Sequence, residues 1–143
     1  MIILKGFPLP PTSNNMYIPV RGRLIKSNEA RIYDQKCLIY SMSKSNLIKE
    51  IKINETDFLY IETHFVFLKN RLFTKKNELK KLDCTNRIKS CHDNLCKMLN
   101  IDDKQFIEGK FSKSYCEEPH QEQVIIKISK LDGISDFKSL LNA

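Results

Sequence analysis

The sequence predicts an α+β domain in which helices pack on one side of a mixed β-sheet. Phe58 to Leu68 alternates strictly, with Leu59, Ile61, Thr63, Phe65 and Phe67 set against Phe58, Tyr60, Glu62, His64 and Val66, the period of a strand with one buried face. Thr85 to Asn100 has the other period. Ile88, Cys91, Leu95, Met98 and Leu99 fall on one side of a 3.6-residue helix, and Asn86, Lys89, Asp93 and Lys97 on the opposite side. The remaining segments complete the order hairpin, helix, strand, helix, strand, strand, which mixes both element types in one layer pair. At 143 residues and 41% hydrophobic content, the chain reads as a single domain spanning 1–143, large enough to bury a real core.

Residues 1–7 read as a strand, with Ile2, Ile3, Leu4 and Phe7 available for the core. Pro8, Pro10 and Pro11 end it, because proline cannot continue a ladder from an interior position, and Ser13, Asn14 and Asn15 continue the loop. Met16–Val20 and Arg23–Ser27 form a hairpin around Gly22. Tyr33 to Ile51 reads as a helix. It carries an apolar stripe through Cys37, Ile39, Tyr40, Leu47, Ile48 and Ile51, and Asp34 near its start suits the macrodipole. Beyond the central helix, Phe106–Ser114 and Gln123–Leu131 read as strands joined by Tyr115–Gln121. Ile134 to Leu141 reads as a short terminal helix or an ordered tail within 134–143.

The net charge of +7 favours a polyanionic partner, nucleic acid or an acidic membrane. No run of 18 apolar residues occurs, so no membrane-spanning helix is expected. The first residues lack the pattern of a signal peptide, so a cytoplasmic location is expected. The odd count of 5 cysteines points to reduced thiols. Cys84, Cys91, His92 and Cys96 lack the tight pairs of structural zinc sites.

Acidic residues bracket the central helix: Asp83 just before it, and Asp102 and Asp103 just after. Thr85 is a candidate N-cap. A strand carrying Asp102 and Asp103, returning beside the helix, would bring one of that pair near Asp83, Lys89 and Asp93. Such carboxylates suit a hard divalent cation, which activates water for phosphodiester hydrolysis, while a lysine neutralises charge developing on the phosphate. A solvated polar helix face would give the same spacing. Lys69 to Lys81 is the most basic stretch and contains Lys75, Lys76, Lys80 and Lys81. It reads as a grip on the DNA backbone or as a solvated loop. Arg21, Arg23, Lys26 and Arg31 crowd the hairpin segment and are open to the same two readings.

The run D-x-T-N-x-x-K-x-x-x-D-x-L followed by I-D-D-x-Q resembles the signature of RusA-type Holliday junction resolvases. Asp83, Asn86, Lys89, Asp93, Leu95, Asp102 and Asp103 match it. Pro10-Pro11-Thr12-Ser13-Asn14 is similar to the family's Pro-Pro segment, so the likeness spans roughly Gly6 to Ile128. The resemblance implies a homodimeric endonuclease that needs Mg²⁺, or accepts Mn²⁺, and resolves four-way DNA junctions in recombination and repair. It implies Asp83, Asp102 and Asp103 as catalytic metal ligands, with Asp93 contributing, and Lys89 stabilising the phosphate. Asn14, Asn86, Arg21, Arg23 and the four lysines Lys75, Lys76, Lys80 and Lys81 would contact DNA. Thr85 stands where the family usually carries a second aspartate. A threonine brings no charge to a metal, so a branched-DNA-binding protein with weak or no nuclease activity is the alternative.

Overall fold

The computed structural model describes residues 1–11, 16–82 and 84–142, with Asn86 described in its backbone alone. Strand β4 (Phe58–Leu68) forms as its alternation requires: Leu59, Ile61, Thr63, Phe65 and Phe67 are buried on one face. It lies inside a sheet of order β1-β6-β4-β5, where β1 is Ile2–Phe7, β5 is Phe106–Cys116 and β6 is Gln123–Leu131. The sheet is mixed, as expected: β4 pairs β5 in parallel, whereas β6 pairs both β4 and β1 antiparallel. Gly6, at a φ of 73°, lies where the β1 register shifts between Leu4 and Phe7, a conformation that costs glycine little.

The buried face of this sheet brings Leu4, Phe7, Val124, Ile126 and Ile128 into line with the inward residues of β4. Helices α1 (Asn28–Ser43) and α4 (Thr85–Leu99) close that core through Tyr33, Cys37, Cys91 and Leu95. All five cysteines are buried thiols. No helix among the described residues is long and apolar enough to cross a membrane.

Several boundaries differ from expectation, among them that of β5, which runs on to Cys116 rather than stopping at Ser114. The first long helix begins at Asn28 rather than Tyr33, because Ser27, assigned above to the hairpin, caps it: its Oγ accepts from the Ala30 N–H at 3.2 Å. That helix also ends at Ser43, and a separate α2 (Ser45–Glu50) follows the break at Lys44. Thr85 is the first helical residue of α4 and Cys84 occupies the cap position, so Thr85 is not the N-cap.

The strand hairpin forms as a separate two-stranded sheet, β2 (Tyr17–Val20) with β3 (Arg23–Lys26). Arg21 at φ 49° and Gly22 at φ 75° make its two-residue turn, where positive φ at both positions matches the strand twist. The basic stretch is partly ordered. A short α3 (Lys69–Leu72) leads into a Phe73–Leu79 bridge, which leaves Lys75 and Lys76 exposed at the intervening turn. The C-terminal helix α5 is Phe137–Leu141.

Candidate active site

Helix α4 presents its polar side to a cleft of about 550 Å³. Lys89, Asp93 and Lys97 lie along the cleft one helical turn apart, the spacing that puts i and i+4 residues on one face. At the far end of the helix Asn100 takes a left-handed conformation, φ 53° and ψ 50°, and turns the chain back. Asp102 and Asp103 follow and line the same cleft. They do not lie in a strand, as the sequence suggested. Asp103–Gln105 is a single 3-10 turn, and β5 starts only at Phe106.

That turn divides the labour of the two aspartates. Asp102 caps it: its Oδ1 accepts from the Lys104 N–H at 3.0 Å, and the Gln105 side chain accepts from the Asp102 N–H at 3.2 Å. The bond from the Lys104 N–H holds the Asp102 carboxyl below the usual carboxylate range. Asp103 lines both this cleft and an adjoining one of about 360 Å³, and Lys89 and Asp93 line both as well. These three residues therefore line both clefts, at the place where the two adjoin. Glu108, which belongs to none of the motifs described above, sits in the second cleft with them.

Cys96 reports the local field. Burial first, then the negative charge of Asp103, Asp93 and Asp102, push its thiol up to about 12. His92 lines the second cleft beside Asp93, and burial lowers its pKa against the opposing pull of Asp93 and Asp103. Its Nε2 shares a 2.8 Å hydrogen bond with the Thr63 hydroxyl on β4, which fixes the middle of α4 to the sheet.

Carboxylate oxygens are the donors that a hard divalent cation prefers, and Asp93 and Asp103 each bring one carboxylate to this cleft, with Lys89 lining it as well. Among the described residues no group of three or more His, Cys, Asp or Glu is placed to hold a metal ion. Asp83 and Asn14, both expected at the site, lie outside the described residues, as does the Asn86 side chain.

The opposite wall comes from the hairpin and α1. Lys26 Nζ contacts Asp34 Oδ2 at 2.7 Å, and Asn94 Nδ2 donates to Asp34 Oδ1 at 3.1 Å. Burial pulls the Asp34 carboxyl up, but the bonds from Lys26 and Asn94 outweigh it and hold the group below its usual value. The bond to Asp34 raises Lys26 in turn, and Asp93 adds to the effect. No spacing rule joins Lys26, Asp34 and Asn94 in the sequence; only the packing of hairpin, α1 and α4 brings them together. Arg87 was missed by the sequence reading, although its place one turn before Cys91, on the apolar arc of α4, could have pointed to it. It is 3% exposed, donates from Nη1 to the Pro10 carbonyl at 2.6 Å, and stands over the Phe67 ring.

Arg21 and Arg23 lie at the exposed tip of the hairpin, and Lys75, Lys76 and Lys81 are exposed beside the approach to α4. Lys80 is tied down, donating from Nζ to the Asn70 carbonyl at 2.6 Å. No curated protein matches this chain. The family profile described as endodeoxyribonuclease RusA matches residues 8–129, from the Pro-Pro segment through most of β6. The chain therefore belongs to the RusA endodeoxyribonuclease family, whose members are Holliday junction resolving endonucleases.

Proposed function

We propose that this chain is a divalent-metal-dependent endodeoxyribonuclease that cuts four-way DNA junctions in recombination and repair. The observation that carries the reading is that Lys89, Asp93 and Asp103, all within the family's motif, line both of two adjoining clefts. Asp93 and Asp103, with Asp83 from the same motif, are the residues assigned to hold Mg²⁺ or Mn²⁺. Asp102 serves the site by capping the turn that positions Asp103. A cation bound there supplies Lewis acidity and lowers the pKa of its water. Lys89 brings an ammonium group to the phosphate oxygens, where charge accumulates as water adds to phosphorus and one ester bond breaks. Arg21, Arg23, Lys75, Lys76, Lys80 and Lys81, with Asn14 and Asn86, hold the DNA around the cut.

Two cuts on strands related by a junction's own symmetry call for two sites, so the working form is taken to be a homodimer, acting in the cytoplasm. The test is Mg²⁺-dependent nicking of a synthetic four-way junction, with linear duplex as control. Junction cleavage without duplex cleavage supports the reading. Tight junction binding with no cleavage at any Mg²⁺ or Mn²⁺ concentration supports a second one: a branched-DNA-binding protein without chemistry. Thr85 in the usual aspartate position favours that second reading.

A further inference from the structure

Among the described residues hairpin β2–β3 pairs only with itself, and seven of its eight strand residues are exposed. Its composition does not suit water. Tyr17, Ile18, Val20 and Ile25 are exposed, and Leu24 is 73% exposed. The register sorts these residues by face. Tyr17 opposite Lys26, and Pro19 opposite Leu24, share one side; Ile18 opposite Ile25, and Val20 opposite Arg23, share the other. A hairpin lying on a flat partner is apolar on one face and polar on the other. This one is apolar on both, with Arg21 and Arg23 at its tip, which is the distribution of a wedge held between two apolar surfaces.

Its position adds the second argument. The hairpin root is closed by the Ser27 N–H donating to the Met16 carbonyl at 2.9 Å and is anchored by Lys26 to Asp34. Met16, Tyr17 and Lys26 form one wall of the cleft that holds Lys89, Asp93 and Asp103. An object gripped by the hairpin is thus held next to the cutting site.

Resting on the reading of the cleft as a junction-cutting site, we propose that this hairpin inserts into the open centre of branched DNA and is the element that selects branches over duplex. A branch point exposes base faces that a continuous duplex keeps stacked. Apolar side chains entering beside such faces stabilise the unstacked state, while Arg21 and Arg23 neutralise the phosphates that crowd the crossing strands. The charge complements the partner, and the two apolar faces meet the bases on either side.

The test uses the full chain in EDTA, so that binding is read without cleavage. A synthetic four-way junction carries 2-aminopurine beside the branch point, and linear duplex of the same sequence competes. The wild type is expected to prefer the junction and to brighten the 2-aminopurine. Val20→Ser combined with Leu24→Ser, one change on each face, is expected to keep duplex affinity within about twofold and to lower the junction-to-duplex ratio about tenfold, the scale of removing one or two side chains that pack on bases. The brightening disappears with it. Leu24→Ser alone, at a position that cannot be core, gives the same direction if the double variant fails to fold. Arg21→Gln with Arg23→Gln should weaken both DNA forms together. An unchanged ratio with unchanged brightening overturns the proposal, and so does a shift of the hairpin variant from dimer to monomer in sedimentation, which would assign the hairpin to a subunit contact. If the wild type shows no junction preference in EDTA and no junction cleavage in the separate Mg²⁺ assay, the reading of the cleft fails as well. If it does both and the variants keep the preference, only the role of the hairpin fails.

Discussion

The Arg87 guanidinium donates to the Pro10 carbonyl at 2.6 Å across 77 residues of sequence, from a position buried between α4 and the sheet. This bond ties the proline segment to the helix that carries Lys89 and Asp93. Arg87→Met leaves the Pro10 carbonyl without its charged donor, a loss of about 2–3 kcal/mol for a buried charge-assisted bond. The expected fall in Tm is roughly 5–10 °C for a chain of this size, measured by calorimetry. A variant that melts with the wild type would show that the bond is dispensable.

The two adjacent aspartates should separate by experiment. Asp103→Asn is expected to abolish junction cleavage with binding retained or tightened, because the change removes negative charge from a DNA-facing cleft. Asp102→Asn keeps a good capping side chain and should retain most activity, whereas Asp102→Ala should lower stability measurably through removal of the cap. Paired cleavage, gel-shift and melting measurements on the three variants decide it. Equal loss of cleavage in Asp102→Asn and Asp103→Asn would mean that both carboxylates act at the phosphate. Lys89→Met should lower the cleavage rate by roughly 10²-fold, with a smaller effect on binding.

Thr85 opens α4 two residues after Asp83. With one carboxylate fewer than the family's usual set, half-maximal cleavage should need more Mg²⁺, or favour Mn²⁺, which stands early in the affinity series yet binds oxygen sites well. Thr85→Asp should move the metal midpoint down, and its negative charge also suits a helix N-terminus. A metal titration of both proteins on one junction makes the comparison. An unmoved midpoint in a folded variant places residue 85 away from the cation.

Neutralising Lys75, Lys76, Lys80 and Lys81 together should flatten the salt dependence of DNA binding. The log–log slope should fall by about 0.9 for each phosphate that these lysines neutralise in the wild type. Lys80, already bonded to the Asn70 carbonyl, should contribute least when changed singly. An unchanged slope in the quadruple variant would assign all four to solvent.

The Lys26–Asp34 pair makes a pH prediction. Asp34 titrates below its usual value in the folded protein, so its contribution is present above the unfolded carboxylate pKa near 4 and is lost as pH falls through the lower folded value. Lys26 is raised, so its share persists through neutral pH and is lost only as pH climbs past the ordinary lysine range. Asp34→Asn should therefore cost stability at pH 7, by no more than about 1 kcal/mol for a half-exposed pair, and should cost progressively less below pH 4. Urea midpoints across pH 3–7 test the sign.

Where a segment has one strong period, sequence and structure agree closely. Phe58–Leu68 and Gln123–Leu131 begin and end where their patterns do, and α4 ends one residue before the expected Asn100. The misreadings fall where local chemistry competes with period. Ser27 follows a β-branched and basic strand and looks like its last residue, yet its hydroxyl starts α1. Asp102 and Asp103 precede a strong strand and look like part of it, yet capping by Asp102 holds them in a turn. The cleft was half legible. Lys89 and Asp93 share a helix face by arithmetic, but the Lys26–Asp34–Asn94 wall is made by three elements whose sequence spacing carries no period.

The sheet order has a consequence for synthesis. Ile2, Ile3, Leu4 and Phe7 find their partners at Ile128, Lys127, Ile126 and Val124, so the first strand made must wait for the last before it can pair. The central β4 likewise meets both of its neighbours only after α4 has been made. Pairings this distant carry a large loop-closure entropy and slow folding. Until Val124–Ile128 leaves the ribosome, the nascent chain exposes two apolar strands with open edges, the state in which such chains aggregate. The sheet on which α1 and α4 pack is therefore completed only once β6 has been translated, after every residue that lines the large cleft has already been made.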